Sequence, residues 1–328
     1  MFEGKQILIT GGTGSLGHAL TKKLLELGAE KIRIYSRNEH KQIEMESEFD
    51  DKRLRFLLGD VRDYNRLLRA TEDVDIVFHA AALKHVPKIE YNPFEAIKTN
   101  VHGAQNVIDA CVHNKVERAI CVGTDKAVSP LNTYGATKLL MEKLFVTAVH
   151  YSNPKKHLTK FFAVRYGNVF GSSGSVIPKF IQQIKSKKKV TITEPNMTRF
   201  NISMDDALEL ILNATKSGIS SEIFVPKLKA YSLQDIADVA KELLGDTGQE
   251  IIGIRSGEKL HETLINHDEI RNTWEYNNMY MVKEAIEQES YPGVKKVEHL
   301  ESYSSDKVEN ISKEELKNMI QKSGLLED

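Results

Sequence analysis

The sequence predicts an α/β fold: a doubly wound, mostly parallel sheet followed by a smaller α/β lobe. Three observations predict it. Short apolar runs alternate with amphipathic helical segments through the first half of the chain. A glycine-rich loop, Gly11-Gly12-Thr13-Gly14-Ser15-Leu16-Gly17, follows the first apolar run and opens the first helical one. After about residue 166 the alternation becomes irregular, as expected for a second unit. The expected division is residues 1–166 for the sheet domain, with the chain returning to it near 201–217. Residues 167–328 then form mostly the second lobe and a C-terminal tail.

The elements follow in order. Gln6 to Thr10 is a short apolar strand, and the helix after it carries Leu16, Leu20, Leu24 and Leu27. Lys31 to Tyr35, Leu54 to Leu58, Asp75 to His79, Arg118 to Val122 and Lys160 to Arg165 read as the next five strands. Helical segments lie between them at about 38–48, 63–71, 92–114 and 132–150. Strands separated by helices cannot be joined as hairpins, so the sheet is parallel and covered on both faces. Right-handed crossovers make it doubly wound, the Rossmann arrangement. In the second half, Ile177 to Lys185, Asp205 to Lys216 and Ser232 to Leu244 read as helices and Glu222 to Pro226 as a strand. Residues 285–310 are polar and lack apolar periodicity. Ser312-Lys313-Glu314-Glu315 has capping-box spacing before Leu316, Met319 and Ile320, which fits either a last short helix or a frayed tail.

Composition narrows the function classes. The 328 residues are 41% apolar, enough for a large core, and the net charge is −1. That balance gives no field for nucleic acid or membrane. The basic run Lys185 to Lys189 has no interleaved aromatics and reads as a solvated loop. No apolar run approaches the ~20 residues that cross a bilayer, and the start of the chain lacks a signal-peptide pattern. Cys111 and Cys121 read as a reduced, buried pair, consistent with a cytoplasmic protein. The eleven histidines show no ligand spacing, so no metal is expected.

The glycine loop identifies a dinucleotide site. Glycines at 11, 14 and 17 allow a tight turn, close approach to a pyrophosphate and close helix packing, while the helix N-terminus offers free N–H groups. Thr13, Ser15 and Leu16 complete the loop. An acidic residue at the end of the second strand would select NAD. Here Ser36 and Arg37 stand there, with Lys41 a turn later, which favours the 2′-phosphate of NADP, although Glu39 lies between the cations. Asp60 and Val61 are expected near the adenine. Ala80, Ala81 and Ala82 are small enough to let the cofactor pass.

The catalytic candidates follow the fifth strand. Thr124, Asp125 and Lys126 stand at its carboxyl end, where ligands bind in such sheets. Tyr134 and Lys138 lie four apart on one helix and share a face. A lysine ammonium beside a phenol is expected to lower its pKa, making Tyr134 a general base for a sugar hydroxyl. Oxidation of a hydroxyl needs nothing more. An adjacent Asp125–Lys126 pair points to an elimination, which needs both an acid and a base.

At these residues the chain resembles a known family, the extended short-chain dehydrogenase/reductases. More closely it resembles the inverting UDP-N-acetylglucosamine 4,6-dehydratases that open the pseudaminic acid pathway. The matching stretches are Gly11 to Gly17, Tyr35 to Arg37, Gly59 to Asp63, His79 to Pro87, Thr124 to Ala127, Tyr134 to Lys138 and Val164 to Val169. They continue through Met197 to Phe200, Glu222 to Pro226 and Ile254 to Glu262. The likeness runs to about residue 265 and then fades. Phe200 and Ser256 depart from the family pattern, where Trp and Pro are expected. Many retaining relatives carry Met at the position of Tyr134, so the tyrosine favours the inverting type.

The resemblance implies a lyase that uses tightly bound, recycled NADP. Tyr134, assisted by Lys138, takes the C4 hydroxyl proton as hydride leaves C4; Thr124 shares that proton. Lys126 then takes the C5 proton, Asp125 protonates the leaving C6 hydroxyl, and hydride returns to C6. Asp125 and Lys126 can also share protons as a coupled pair. Arg199 and Arg255 are expected on the substrate diphosphate, Glu258 on the uridine ribose, and Lys84 and Asn168 along the sugar pocket. A homo-oligomer is also implied. The rival readings are a UDP-sugar 4-epimerase, which would not use the Asp125–Lys126 pair, and a silent NADP-sensing protein. A membrane-bound dehydratase is a third rival, and it lacks spanning segments here.

Overall fold

A computed structural model describes residues 1–151, 159–172, 174–285 and 288–327. Its centre is a ten-stranded sheet. From one edge the strands are Leu54–Leu58, Lys31–Ser36, Gln6–Thr10, Ile76–His79, Arg118–Val122, Lys160–Val164 and Ile223–Pro226, all parallel. Met279–Val282, Thr273–Tyr276 and Lys295–Lys296 then extend the sheet as antiparallel strands. Strand order reverses between Gln6–Thr10 and Ile76–His79, which opens a crevice at the carboxyl ends of the strands.

Alternation along the strands builds two cores. Ile7 and Ile9 enter one apolar cluster and Leu8 the other. Ile76 and Phe78 face the first, Val77 the second, and all are fully buried. Both faces are therefore covered, which explains why the strands read as continuous apolar runs. Helix Met204–Ser217 lays Leu208, Ile211 and Leu212 into the cluster that holds Leu20 and Leu24. Cys111 and Cys121 are free and buried, as their positions predict.

A third cluster makes the core of the smaller lobe. Ile177, Phe180, Ile181 and Ile184 pack with Ile192, Ile236, Ala237 and Ala240. The chain's last helix, Lys313–Lys322, adds Leu316 and Ile320 to it. Its capping box forms, with Glu315 N–H donating to the Ser312 side chain and the Ser312 N–H to Glu315. Of the two readings left open for this stretch, the helix is the one realised.

Three local features depart from the expected elements. The segment 92–114 is not one helix. It runs as Pro93–Ala96, a π-helical turn Ile97–His102, and Gly103–His113. The turn points Asn100 at Leu83, whose N–H donates to Asn100 Oδ1 at 2.8 Å and whose carbonyl accepts from Nδ2 at 3.1 Å. A short helix, Val86–Tyr91, with Pro87 in its first turn, was also not anticipated. The third is the hairpin of Thr273–Tyr276 and Met279–Val282. Asn277 and Asn278 join the strands with φ of 45° and 60°, the paired left-handed conformation of a tight hairpin turn. Of the polar stretch 285–310, residues 286 and 287 lie outside the described residues. The rest holds the edge strand Lys295–Lys296 and the strand Tyr303–Ser304, which pairs with Thr263–Ile265.

Candidate active site

The glycine loop sits at the crevice. Gly11 has a φ of +71°, and a Cβ there would lie 2.9 Å from the backbone of Ala81. A Cβ on Gly17 would lie 2.4 Å from the Gly12 carbonyl oxygen. Larger residues at either position would push the loop away from the strand ends. Gly14 caps the helix Ser15–Glu26 without a side-chain hydrogen bond, so no side chain closes over its first N–H groups. Ala80 N–H donates to the Thr10 carbonyl, bringing the alanine run beside the loop. Such a backbone-lined cradle at a helix N-terminus fits a dinucleotide pyrophosphate. Thr13 and Leu16 are half-buried along it, and Ser15 is exposed.

At the end of the second strand, Ser36 is buried and its Oγ accepts a hydrogen bond from Gln42 Nε2 at 3.0 Å. Arg37 is half-exposed and approaches Asp60 at 3.8 Å. Burial would raise the Asp60 carboxyl, but hydrogen bonds from Arg62 and the charge of Arg37 hold it below the usual range. Asp60 is therefore a paired carboxylate. Lys41 is exposed, and Val61 is buried against Gly103.

Thr124 leaves the fifth strand in extended conformation and caps a single turn, Asp125–Ala127. Its hydroxyl donates to Asp125 Oδ1 at 3.0 Å. Asp125 is fully buried. Lys126 Nζ donates to Asp125 Oδ1 at 2.9 Å and to Asn168 Oδ1 at 3.1 Å, and lies 3.4 Å from Glu262 Oε1. Burial would lower the Lys126 ammonium, but Asp125 and Glu262 carry it above the ordinary lysine range. Burial raises the Asp125 carboxyl. Helix Thr133–Thr147 starts directly against this turn, where a Cβ on Gly135 would lie 2.2 Å from the Lys126 carbonyl oxygen.

Tyr134 departs from expectation. Burial raises its phenol above the ordinary range, and the cation that pulls it down is Lys126, with help from hydrogen bonding to Thr124. The Lys138 ammonium turns into the sheet and donates to the Val122 carbonyl at 2.6 Å, and burial lowers its pKa. Four-residue spacing places the two side chains on one face, but the free carbonyl at the strand end captures the ammonium.

The second lobe supplies the rest. Asn168 joins the cluster through its Oδ1, which accepts from Lys126. Arg199 does not stand where a diphosphate ligand would. It is 8% exposed, and its guanidinium donates to the carbonyls of Thr198, Lys259 and Leu260 and to Met197 Sδ. Its Nε lies 3.7 Å from Glu262 Oε1. Arg199 therefore ties the segment 259–262 to strand Thr198–Ile202, with both of its terminal nitrogens engaged by the protein. Arg255 and Glu258 face one another at 3.5 Å on a half-exposed turn. Burial and the nearby Arg255 lower Lys179, which helix Val176–Lys185 brings to that turn. Residues 254–262, a strap across the site, are docked at the N-terminal end of helix Thr133–Thr147, because Asn132 Nδ2 donates to the Gly257 carbonyl at 2.8 Å and Lys259 Nζ to the carbonyl of Val128 in the preceding turn. Lys84 is exposed on the loop that Asn100 holds.

The structure thus gathers Thr124, Asp125, Lys126, Tyr134 and Asn168 and leaves Lys84, Arg37 and Lys41 outside that cluster. Sequence reasoning missed Glu262, Lys179 and Tyr231, whose phenol hydrogen-bonds Asn168. Glu262 ends a stretch that carries the family resemblance, and that was its only signal. Among the described residues, no group of three or more His, Cys, Asp or Glu could hold a metal ion. No described helix is long and apolar enough to cross a membrane.

Known proteins resemble this chain over nearly its whole length. The chain is 49% identical over 318 residues to a UDP-N-acetylglucosamine 4,6-dehydratase (inverting) of Campylobacter jejuni subsp. jejuni serotype O:23/36 (strain 81-176), covering 93% of this chain and 94% of that protein. It is 42% identical over 331 residues to a UDP-glucose 4-epimerase of Rickettsia conorii (strain ATCC VR-613 / Malish 7), covering 98% and 96%. The X-ray structure of Pen from Bacillus thuringiensis superposes with a TM-score of 0.93 at 40% identity, covering 99% of this chain and all of that one. A family model described as polysaccharide biosynthesis protein matches residues 7–284, and the chain belongs to that family.

Proposed function

We propose that this protein is a lyase that dehydrates UDP-N-acetylglucosamine across C5 and C6 with inversion at C5, yielding a UDP-4-keto-6-deoxy-L-arabino-hexose. The observation that carries the reading is the pair of buried Asp125 and half-buried Lys126, 2.9 Å apart, placed against the Thr124–Tyr134 hydroxyls. Epimerisation at C4 needs the hydroxyls alone. Elimination of water also needs a second acid and base, and this site holds them.

A nicotinamide dinucleotide, when bound, supplies reversible hydride acceptance and a positively charged ring. Gly11, Gly14 and Gly17 would hold its pyrophosphate. NADP is favoured over NAD, since Ser36 is neutral and Arg37 and Lys41 stand exposed at the strand end. Tighter equilibrium binding of NAD to cofactor-stripped protein would reverse that preference.

The chain's own groups then divide the proton work. Tyr134 takes the C4 hydroxyl proton, with Lys126 as the cation that favours its phenolate. A ketone at C4 acidifies the C5 proton, which Lys126 removes. Asp125, whose carboxyl burial raises, protonates the departing C6 hydroxyl; once hydride is back on C6, C5 takes a proton on its opposite face and Tyr134 gives up the one it took from the C4 hydroxyl. Lys138 holds the helix to the strand end through the Val122 carbonyl, and from that position would meet the ribose of a bound nicotinamide. Arg255 and Lys179 bind the diphosphate, Glu258 the uridine ribose, and Lys84 and Asn168 border the sugar. The exposed Tyr91, Phe94 and Leu140, on three mutually packed helices, support self-association.

The test is proton NMR of the purified protein with UDP-N-acetylglucosamine in D2O, with NADP+ added if needed. A new C6 methyl signal whose C5 coupling is lost to deuterium is the expected result, and the ring couplings report inversion. Appearance of UDP-N-acetylgalactosamine without a methyl signal would establish the epimerase instead.

A further inference from the structure

Arg165 stands one residue past strand Lys160–Val164 and is fully buried. A guanidinium has five N–H donors, and this one uses them all. Nε and Nη2 donate to Glu142 Oε2 at 3.0 Å and Oε1 at 2.5 Å. Nη2 and Nη1 donate to Glu269 Oε1 and Oε2, both at 3.0 Å. Nη1 also donates to the Leu264 carbonyl at 2.7 Å. One planar fork thus holds two carboxylates, each through two hydrogen bonds, which a lysine cannot do. Burial would lower the guanidinium, but Glu142 and Glu269 carry it above the ordinary arginine range.

The segments that meet at this fork are the ones that carry the charged cluster. Glu142 is fully buried on helix Thr133–Thr147, one turn past Lys138 and two past Tyr134. Leu264 follows the end of the strap by two residues. Glu269 lies on the short helix His267–Ile270, where its Oε2 also accepts from the Asn266 N–H at 3.1 Å. On the segment of Arg165 itself, the Tyr166 carbonyl accepts from the Asp125 N–H at 3.0 Å, and Asn168 Oδ1 accepts from Lys126. The strand end makes room for the pair. A Cβ on Gly123, the residue before Thr124, would lie 2.5 Å from the Val164 carbonyl oxygen and 3.3 Å from Glu142 Oε2.

Stability alone does not account for this arrangement. Burying three charged groups costs desolvation that their attraction does little more than offset, and apolar side chains of similar volume would hold the segments as well. Apolar contacts do not, however, fix an angle and a distance as a hydrogen-bonded fork does. The charge sum also belongs with the site. One guanidinium and two carboxylates leave one negative charge, and Lys138, 4% exposed and one turn from Glu142, is the cation beside it. We propose that Arg165 is a positioning residue for the dehydration. Through Glu142 it fixes the helix that carries Tyr134 and Lys138 against the Asp125–Lys126 turn. Through Leu264 and Glu269 it fixes the end of the strap against both. All its donors are engaged, so it acts only through these partners. The glycine cradle and the Arg255–Glu258 turn take none of its hydrogen bonds, so ligand binding survives its loss while turnover falls.

This inference rests on the dehydratase reading, and the experiment separates the two. Wild-type, Arg165→Lys and Arg118→Lys holoenzymes are compared in methyl formation from UDP-N-acetylglucosamine, at a temperature where thermal melts show each of them folded. Arg118 is the control. It is also buried, at the end of strand Arg118–Val122 away from the site, and donates to the Thr215 and Gly218 carbonyls. Arg165→Lys is expected to lower kcat about 100-fold, with KM within about threefold and bound dinucleotide retained. Arg118→Lys is expected to lower the melting temperature and leave kcat within about threefold of wild type. Glu269→Gln, which leaves Glu142 on the fork, is expected to lose about tenfold in kcat at an unchanged KM. If Arg165→Lys turns over within about threefold of wild type, or if the two lysine variants lose kcat equally, the positioning role is wrong. If Arg165→Lys does not fold, Glu269→Gln decides, and a kcat within about threefold of wild type overturns the proposal. If the wild type forms no methyl group, the dehydratase reading falls and the positioning role with it.

Discussion

The glycine cradle and the charged cluster follow two strands of one sheet that are separated by a single strand, yet they are built in opposite ways. The cradle is local and made of backbone. Seven consecutive residues form it, and its shape depends on the absence of side chains at Gly11 and Gly17. The cluster is assembled from distant segments and made of charges. Asp125 and Lys126 come from one turn, Tyr134 from a helix, Asn168 and Arg199 from the second lobe, and Glu262 from the strap. Backbone sites tolerate changes that leave the main chain in place. Charge clusters fail when one member is lost, because its partners remain buried and unpaired.

The largest expected effect is on the cluster. Tyr134→Phe should lower kcat by about 10³-fold while the melting temperature stays within a few degrees, since only a hydroxyl is lost. A mild kinetic loss in methyl formation would mean that another group takes the C4 proton. Next come the two arginines, which looked alike as sequence. Arg199→Ala should destabilise the fold by about 3 kcal/mol, read by denaturant titration, because buried Glu262 loses a neighbouring cation and the carbonyls of Thr198, Lys259 and Leu260 lose its hydrogen bonds. Arg255→Ala should leave stability unchanged and raise KM about tenfold. Equal behaviour of the pair would erase the distinction between strap and ligand.

On the cradle side, Gly17→Ala forces a Cβ against the Gly12 carbonyl. It should destabilise by about 2 kcal/mol and weaken dinucleotide binding, measured on stripped protein, without changing the proton chemistry of bound substrate. The smallest effect is a pH dependence. His79, on the strand beside the cradle, is buried and hydrogen-bonded to Thr10 Oγ1 at 2.8 Å, and burial depresses its pKa to about 3. The unfolded chain binds this proton below about pH 6.5, whereas the folded chain does not until about pH 3. Stability from the neutral imidazole is therefore present above pH 6.5 and is lost as pH falls toward 3. About 2 kcal/mol should disappear between pH 7 and pH 5, and His79→Gln should flatten that slope in thermal melts.

Much of this was legible beforehand. Every strand from Gln6–Thr10 to Lys160–Val164 stands within a residue of its reading, because buried parallel strands are short apolar runs between helical ones. The capping box at Ser312 and Glu315 was legible for the same local reason. The hairpin at 273–282 was missed although Asn277-Asn278 between alternating residues is its signature. The π-helical turn at 97–102 has no comparable signal, since it exists to point Asn100 at Leu83.

By itself the sequence determined the order of strands and helices, the dinucleotide cradle and the presence of an acid, a base and a phenol at one strand end. These follow from periodicity and short spacing, which act within a few residues. Only the tertiary structure decided that Lys138 turns to the Val122 carbonyl and that Arg199 is committed to the strap. It alone set Glu262 beside Lys126. Those outcomes depend on which donors and acceptors distant segments bring together, and on which partners are already satisfied when a ligand arrives.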